Sequence, residues 1–333
     1  MTTEKMSSTY QLDELNFESR IGGAGEELSS AVIPLIDLSD FDRREDEIAD
    51  QLWQAAVEVG FFQLDNHGIP LEMINRAFDA SADFFARDES FKAQFPLREG
   101  QNVGWEFQAQ VRPSVGIADR KESYQITLPR MDGLWPDASD LPVFKTDTLA
   151  LERRAWELGM RVLSCFALKL GFDREFFTRA HDREQPDYQS TLRLLHYLPL
   201  EEGVEVPANV WRAGAHTDFD CLTMVFQKTG QGGLQVCAGK DAATSQAWAP
   251  VEPRDGIITC NIGDMLMRWS DDRLKSTLHR VRMPRPGEAG HSRYSMAFFC
   301  QANSRAVIQG PGKVYEPITA EDYLKMRLQA NFG

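Results

Sequence analysis

From STLRLLHYLPL (190–200) to about residue 310, short apolar segments alternate with Gly and Pro turns, and this rhythm limits what the chain can fold into. Segments so brief, with apolar residues at every second place, read as strands that bury one face. Two antiparallel sheets closed over a central cavity satisfy the pattern, which is the jelly-roll or cupin layout. Helices flank it. Residues 45–59 place Ile48, Leu52, Ala55, Ala56 and Val59 on one helical face, with Gly60 as the stop. FFQLDN follows as a strand, Gly68 and Pro70 turn the chain, and Leu71, Ile74, Ala77, Phe78, Phe84 and Phe85 form the buried stripe of a second helix. The strongest helical pattern, 147–170, repeats Leu151, Ala155, Leu158, Val162, Phe166 and Leu170 at three- and four-residue steps, and it predicts a buttress across the back of a sheet. The fold class is therefore α+β, with a jelly-roll core. It divides into an N-terminal arm (1–30), an N-terminal region (31–145) and a core with buttress, jelly roll and terminal helix (146–333).

Within the strand-rich part lies one chemical constellation. His216 and Asp218 in GAHTDFDCL are two residues apart, so on an extended strand both side chains leave the same face. His279 in STLHRV lies 61 residues beyond Asp218, a gap that only a folded sheet can close. Two imidazoles and one carboxylate hold ferrous iron on one face and leave the opposite coordination sites open. Taken alone, His-x-Asp also fits a strand-end His beside an N-capping Asp. Arg293 and Ser295 in SRYSMAFF again share a strand face, and a guanidinium offers a carboxylate a bidentate grip. The turn-rich MPRPGEAGHS between them and His279 predicts a hairpin of 277–282 with 293–300.

The ordered segments IPLIDLS (33–39), VGFFQLDNHGIP (59–70), GW (104–105), KES (121–123), GAHTD (214–218), GGLQV (232–236) and NIGDML to HRV (261–281) resemble the Fe(II)/2-oxoglutarate-dependent dioxygenase superfamily. Within it, the resemblance is to the isopenicillin N synthase-like branch with the plant-type dioxygenases. That resemblance implies a double-stranded β-helix core and Fe(II) on His216, Asp218 and His279. It further implies 2-oxoglutarate as co-substrate, with its far carboxylate on Arg293 and Ser295 and a contact from Tyr197. Dioxygen then oxidises a C–H bond of a small-molecule substrate, with release of succinate and carbon dioxide. Hydroxylation, desaturation and ring closure are all open outcomes. Two departures matter. Leu195 stands where many plant-type relatives carry Asn, and in the isopenicillin N synthase subgroup the Arg-x-Ser pair binds the substrate's own carboxylate without 2-oxoglutarate. An oxidase of that kind and a non-catalytic small-molecule binding protein on the same fold are the rival readings; a zinc hydrolase is weaker, since nothing suggests its general base.

The balance of 36 basic and 50 acidic residues, a net charge of −14, argues against nucleic acid or anionic membrane as partners. Cys165, Cys221, Cys237, Cys260 and Cys300 are scattered among apolar neighbours, as expected of buried, reduced thiols. With no signal-like start and no membrane-length apolar run, the expectation is a cytoplasmic protein, a monomer or a weak homodimer. Between about 96 and 140 periodicity fades, and irregular stretches in compact enzymes often wall pockets. Trp105, Phe107, Gln108, Gln110, Arg112 and Gln125 are accordingly the substrate-pocket candidates, although aromatics there also fit as loop packing. His67 is assigned a structural turn role, His181 and His291 face solvent, and either His196 or Tyr197 faces inward. Asp264 reads as a turn residue.

Overall fold

Strand alternation along Arg293–Cys300 decides how the rest of the molecule packs. In the computed structural model, which describes residues 26–27, 33–98, 100–109, 118–200, 210–237, 247–285, 288 and 290–332, Met296, Phe298 and Cys300 point into a large apolar core while Arg293, Ser295, Ala297 and Phe299 line a cavity. One strand thus serves two environments through its period of two. The elements along the chain begin with β1 (Glu26–Glu27), β2 (Leu35–Asp37), α1 (Phe41–Glu58), β3 (Phe61–Asp65), α2 (Leu71–Phe85), α3 (Glu89–Lys92), β4 (Gly104–Phe107) and β5 (Lys121–Ile126). There follow α4 (Phe144–Leu170), α5 (Phe176–Ala180), β6 (Thr191–Tyr197), β7 (Ala213–His216), β8 (Leu222–Gln227), β9 (Leu234–Val236), β10 (Ala247–Pro250) and β11 (Ile258–Ile262). The chain closes with α6 (Asp264–Trp269), β12 (His279–Val281), β13 (Arg293–Cys300), β14 (Val307–Ile308), β15 (Ile318–Thr319) and α7 (Ala320–Phe332).

Two sheets face each other. The larger has the order β2-β3-β11-β8-β13-β6-β5-β4, and the smaller β1-β10-β9-β12-β7. Residues at alternate places in β3, β6, β8, β11 and β13, among them Phe62, Leu194, Met224, Cys260 and Phe298, form one core with α1, α2 and α4 on the outer face of the larger sheet. Its inner face and the smaller sheet share a second apolar cluster, including Phe61, Leu195, Val236 and Val281, that floors the cavity. All five cysteines are buried and unbridged. No helix among the described residues is long and apolar enough to cross a membrane.

The helices obey their sequence stripes. Ile48, Leu52, Ala55 and Ala56 of α1 and Leu151, Ala155, Leu158, Val162, Phe166 and Leu170 of α4 are all buried. Gly171 ends α4 in the left-handed region, φ 84°, the usual glycine solution to a helix C-terminus. Within α4, Gly159 lets the helix lie close on β13, since a Cβ there would stand 2.6 Å from Cys300 Sγ.

Several expectations need correction. Segments 279–281 and 293–300 do not form a hairpin: β12 pairs with β7 and β9, whereas β13 pairs with β6 and β8 in the other sheet. The intervening chain crosses between sheets. Residues 104–107 and 121–126 are regular antiparallel partners that extend the larger sheet, not irregular wall. Leu71 is 44% exposed at the first turn of α2, ahead of the buried stripe. His181 is fully buried, with Nδ1 against the Phe177 carbonyl (2.8 Å) and Nε2 against the Cys300 carbonyl (3.3 Å). Its polar sequence surroundings mislead because α5 tucks under the sheet end. His67 keeps its turn role, bonding the Gly256 carbonyl and the Ile69 amide, and His291 is exposed. Residues 1–25 and 28–30 of the arm, with Gln110 and Arg112, lie outside the described residues, while Glu26–Glu27 pairs in parallel with β10.

Gly60 sits at φ 77°, and a Cβ there would meet the Lys275 carbonyl at 2.4 Å, whereas Gly171 at φ 84° has open space around it. Gly171→Ala should cost about 1 kcal/mol, the left-handed term alone, and Gly60→Ala clearly more in urea unfolding. Burial holds the His181 ring at about 4, against an ordinary 6.5, outweighing the two carbonyls that favour its protonation. The unfolded chain therefore takes up a proton that the folded one refuses, so this group's stabilisation is complete above pH 6.5 and declines toward pH 4, by up to about 3 kcal/mol. His181→Gln should flatten that part of the stability profile.

Candidate active site

The smaller sheet brings two imidazoles side by side. β12 runs antiparallel to β7 with His279 in register opposite His216, and the ring centroids are 4.3 Å apart. Asp218, just past the end of β7, reaches between them: Oδ1 is 3.7 Å from His216 Nε2 and Oδ2 3.6 Å from His279 Nε2. One ligand atom from each lies within 4.8 Å of the others, and among the described residues this is the one such group able to hold a metal ion.

Surrounding bonds fix each donor. His216 Nδ1–H donates to the Gly214 carbonyl at 2.7 Å and His279 Nδ1–H to the Thr277 carbonyl at 3.2 Å. Both rings thereby take the tautomer whose Nε2 lone pair is available to a metal. Thr223 Oγ1 (2.7 Å) and Asn261 Nδ2 (2.8 Å) donate to Asp218 Oδ2 and hold its plane. Phe61 packs edge-on against the His279 ring. A neutral-imidazole and carboxylate set with its outer bonds already made fits a ferrous ion.

Beneath the triad lie more buried carboxyl groups. Burial, followed by the nearby Asp218 carboxylate, pushes the Asp220 carboxyl well above the usual range. Asp264 is helical and not a turn residue: fully buried at the start of α6, it accepts from Thr217 Oγ1 (3.0 Å) and forms an ion pair with Arg327 of α7. Its backbone amide also donates to the Asp218 carbonyl at 2.8 Å. Arg327 further lies over the Phe219 ring at 5.0 Å. No periodic signal marks Arg327 in a terminal helix rich in charges.

A cavity of about 250 Å³ joins the triad to Arg293, Ser295 and Tyr197. Arg293 is 2% exposed, so its guanidinium must be satisfied inside the fold. Nε donates to the Gln231 carbonyl (2.8 Å), Nη2 to Gln227 Oε1 (2.9 Å) and Nη1 to Ser295 Oγ (3.3 Å), while the group lies 4.6 Å from the Tyr197 ring centre. Burial depresses the pKa of Arg293 and Tyr197 opposes the shift. Tyr197 and Leu195 both face this cavity; His196, on the opposite face, bonds Glu122 and Ser292. Gln227 and Gln231 escape sequence inspection, because their role depends on which strands adjoin β13.

The pocket candidates fare differently from the triad. Trp105 lies on the helix face of β4, its indole donating to Glu122 at 2.7 Å, and Phe107 is 46% exposed beside it. Gln108 turns the chain at φ 47° just after β4. Gln125 is buried, sits opposite Arg193 on the same sheet face and accepts from it at 2.7 Å, bracing the wall from the side. None of these four lines the cavity. Its outer wall is built instead from Arg193, Phe219, Phe299, Gln189, Leu324 and Leu328. Strand alternation could have found Arg193, since Thr191, Arg193, Leu195 and Tyr197 share one face of β6.

Comparison with known proteins agrees with this geometry. A family model described as the 2OG-Fe(II) oxygenase superfamily matches residues 188–302, and one described as the N-terminal region of non-haem dioxygenase in morphine synthesis matches 33–139. The 2-oxoglutarate-Fe(II) type oxidoreductase hxnY of Emericella nidulans is 30% identical over 331 residues, covering 90% of each chain. Proline hydroxylase buaE of Petromyces alliaceus is 32% identical over 79% of this chain and 83% of its own. A full-length Neurospora crassa protein, crystallised in complex with alpha-KG, superposes with a TM-score of 0.79 at 30% identity, covering 90% of this chain and 97% of that one. The chain belongs to the 2-oxoglutarate- and Fe(II)-dependent oxygenase superfamily, whose double-stranded β-helix it shares, and it is an oxidoreductase of that family.

Proposed function

We propose that His216, Asp218 and His279 hold the ferrous ion, that Arg293 with Ser295 and Tyr197 receives the far carboxylate of 2-oxoglutarate, and that the enzyme oxidises a C–H bond of a small molecule lodged against Arg193. The observation that carries this reading is the buried Arg293 guanidinium opening into the same cavity as the triad. When bound, the iron supplies dioxygen activation, with 2-oxoglutarate converted to succinate and carbon dioxide. The chain's own residues position and insulate. The triad's outer hydrogen bonds keep three donors aimed at one centre. Gln227 and Gln231 hold the Arg293 fork still, so little ordering remains for an incoming carboxylate. Leu195, Ala297 and Val225 line the cavity and exclude water around the reacting groups.

Arg193 supports a substrate that presents a hydrogen-bond acceptor, a carboxylate or carbonyl, and Phe299, 5.0 Å from its guanidinium, supports an apolar or planar body beside it. Two similar proteins, the one named a proline hydroxylase and the Neurospora crassa protein, also crystallised with thymine, fit small acceptor-bearing substrates of this kind. The five buried free thiols support a reducing compartment such as the cytoplasm.

The direct test is anaerobic titration of the metal-free enzyme with Fe(II) and 2-oxoglutarate, which should produce a visible charge-transfer band, followed by succinate release on admitting oxygen. Oxygen uptake with substrate but no keto-acid requirement would replace this reading with an oxidase. Asp218→Ala or His279→Ala should abolish both band and turnover while far-UV circular dichroism stays unchanged. Arg293→Leu should leave iron binding intact and raise the 2-oxoglutarate needed for half-saturation about ten- to a hundredfold, the loss of one charge-assisted contact.

A further inference from the structure

β7 does not pair regularly with β12. His279 opposes His216 and Val281 opposes Ala213, so two residues of β7, Gly214 and Ala215, answer the single Arg280. Such a bulge leaves a backbone group outside the ladder and re-aims the side chains beside it. Here the Gly214 amide is taken by a side chain from the other sheet: Asp119 Oδ1 accepts it at 2.9 Å. Asp119 is 3% exposed, and its Oδ2 is bonded by Lys121 Nζ at 2.9 Å, itself 6% exposed. The Gly214 carbonyl in turn accepts His216 Nδ1–H at 2.7 Å. Glycine has the freest backbone of all residues, so a glycine whose carbonyl sets a ring orientation has to be held from elsewhere.

We propose that Asp119, neutralised by Lys121, is a positioning residue for His216: it clamps the bulged Gly214 so that the Gly214 carbonyl holds the imidazole with Nε2 toward the metal. The inference rests on the reading of His216 as a metal ligand. Asp119 touches neither metal nor substrate. Its carboxylate fastens the strand bearing His216, in the smaller sheet, to the segment that opens β5, in the larger. Lys121 keeps that carboxylate from being a lone buried charge and lines the cavity in register with Tyr197.

Two double variants isolate the clamp without stranding a charge. Asp119→Asn with Lys121→Met keeps an oxygen for the Gly214 amide; Asp119→Leu with Lys121→Met keeps the volume and removes the acceptor. The probe is Co(II) alone, added to metal-free protein, read by its visible ligand-field bands and by competition with a chelator. The Asn pair should bind close to the wild type. The Leu pair should bind about ten- to a hundredfold more weakly, the range for loss of an outer partner of a metal-ligating His. Equal affinity in the two pairs overturns the proposal. Should the Leu pair not fold, amide hydrogen exchange in the wild type decides: the Gly214 amide should exchange as slowly as the laddered amides of β12, and rapid exchange overturns the clamp. A wild type that fails to bind Co(II) removes the metal reading itself, which separates the two failures.

Discussion

A guanidinium sunk into the middle of a β-sheet is tolerable only if every face of it is met, and that condition on Arg293 shapes the cavity around it. Gln231 supplies a carbonyl, Gln227 an amide oxygen, Ser295 a hydroxyl and Tyr197 a ring face. These four groups come from β6, β8, the turn after β8 and β13 itself. The larger sheet must therefore have its strands in this order for the cation to be buried at all. In return, the interior carries a fixed positive charge within the same cavity as a cluster of donors able to hold a metal ion. An anion that chelates at one end and ends in a carboxylate at the other suits that arrangement.

The division of labour between the two sheets follows from the same alternation. One face of the larger sheet is apolar and welded to α1, α2 and α4, with Gly159 allowing the closest approach. Its other face is free to carry polar side chains because the helices, not the cavity, provide most of the apolar burial. Removing a buried phenylalanine such as Phe298 would cost about 3–5 kcal/mol, whereas the cavity face can vary without touching that core. Fold and site are thus nearly independent, the main core lying on one side of the larger sheet and the site between its other side and the smaller sheet.

That independence explains what can be read in the sequence. Periods of two and of 3.6 are local, so α1, α4, β3, β6 and β13 are visible there, whereas His216, Asp218, His279, Arg293 and Ser295 are singled out only when strand alternation is joined to the family resemblance. Strand partnership is not local. Nothing in MPRPGEAGHS distinguishes a hairpin from a crossing between sheets, and the crossing is what occurs. Burial of polar residues is equally non-local: His181 stands among hydrophilic neighbours yet is enclosed by elements distant in sequence, and the ion-pair partner of Asp264 lies in the terminal helix. Loss of periodicity over 96–140 points to a pocket wall there. Asn102 and Lys121 of that stretch do line the cavity, but most of its wall comes from regular strands and from the terminal helix, where regularity conceals it.

The terminal helix has a consequence of its own. Leu324 and Leu328 of α7 face the cavity, and between them Arg327 is anchored to Asp264, whose backbone holds the Asp218 segment. The 13 residues of this helix thus close one side of the cavity beside the triad, held by the Arg327–Asp264 ion pair and by Ala320 and Tyr323 in the apolar core. Exchanging the two leucines alters the shape of the enclosure without disturbing either sheet, so the terminal helix can reshape the space open to a substrate at little cost to the fold.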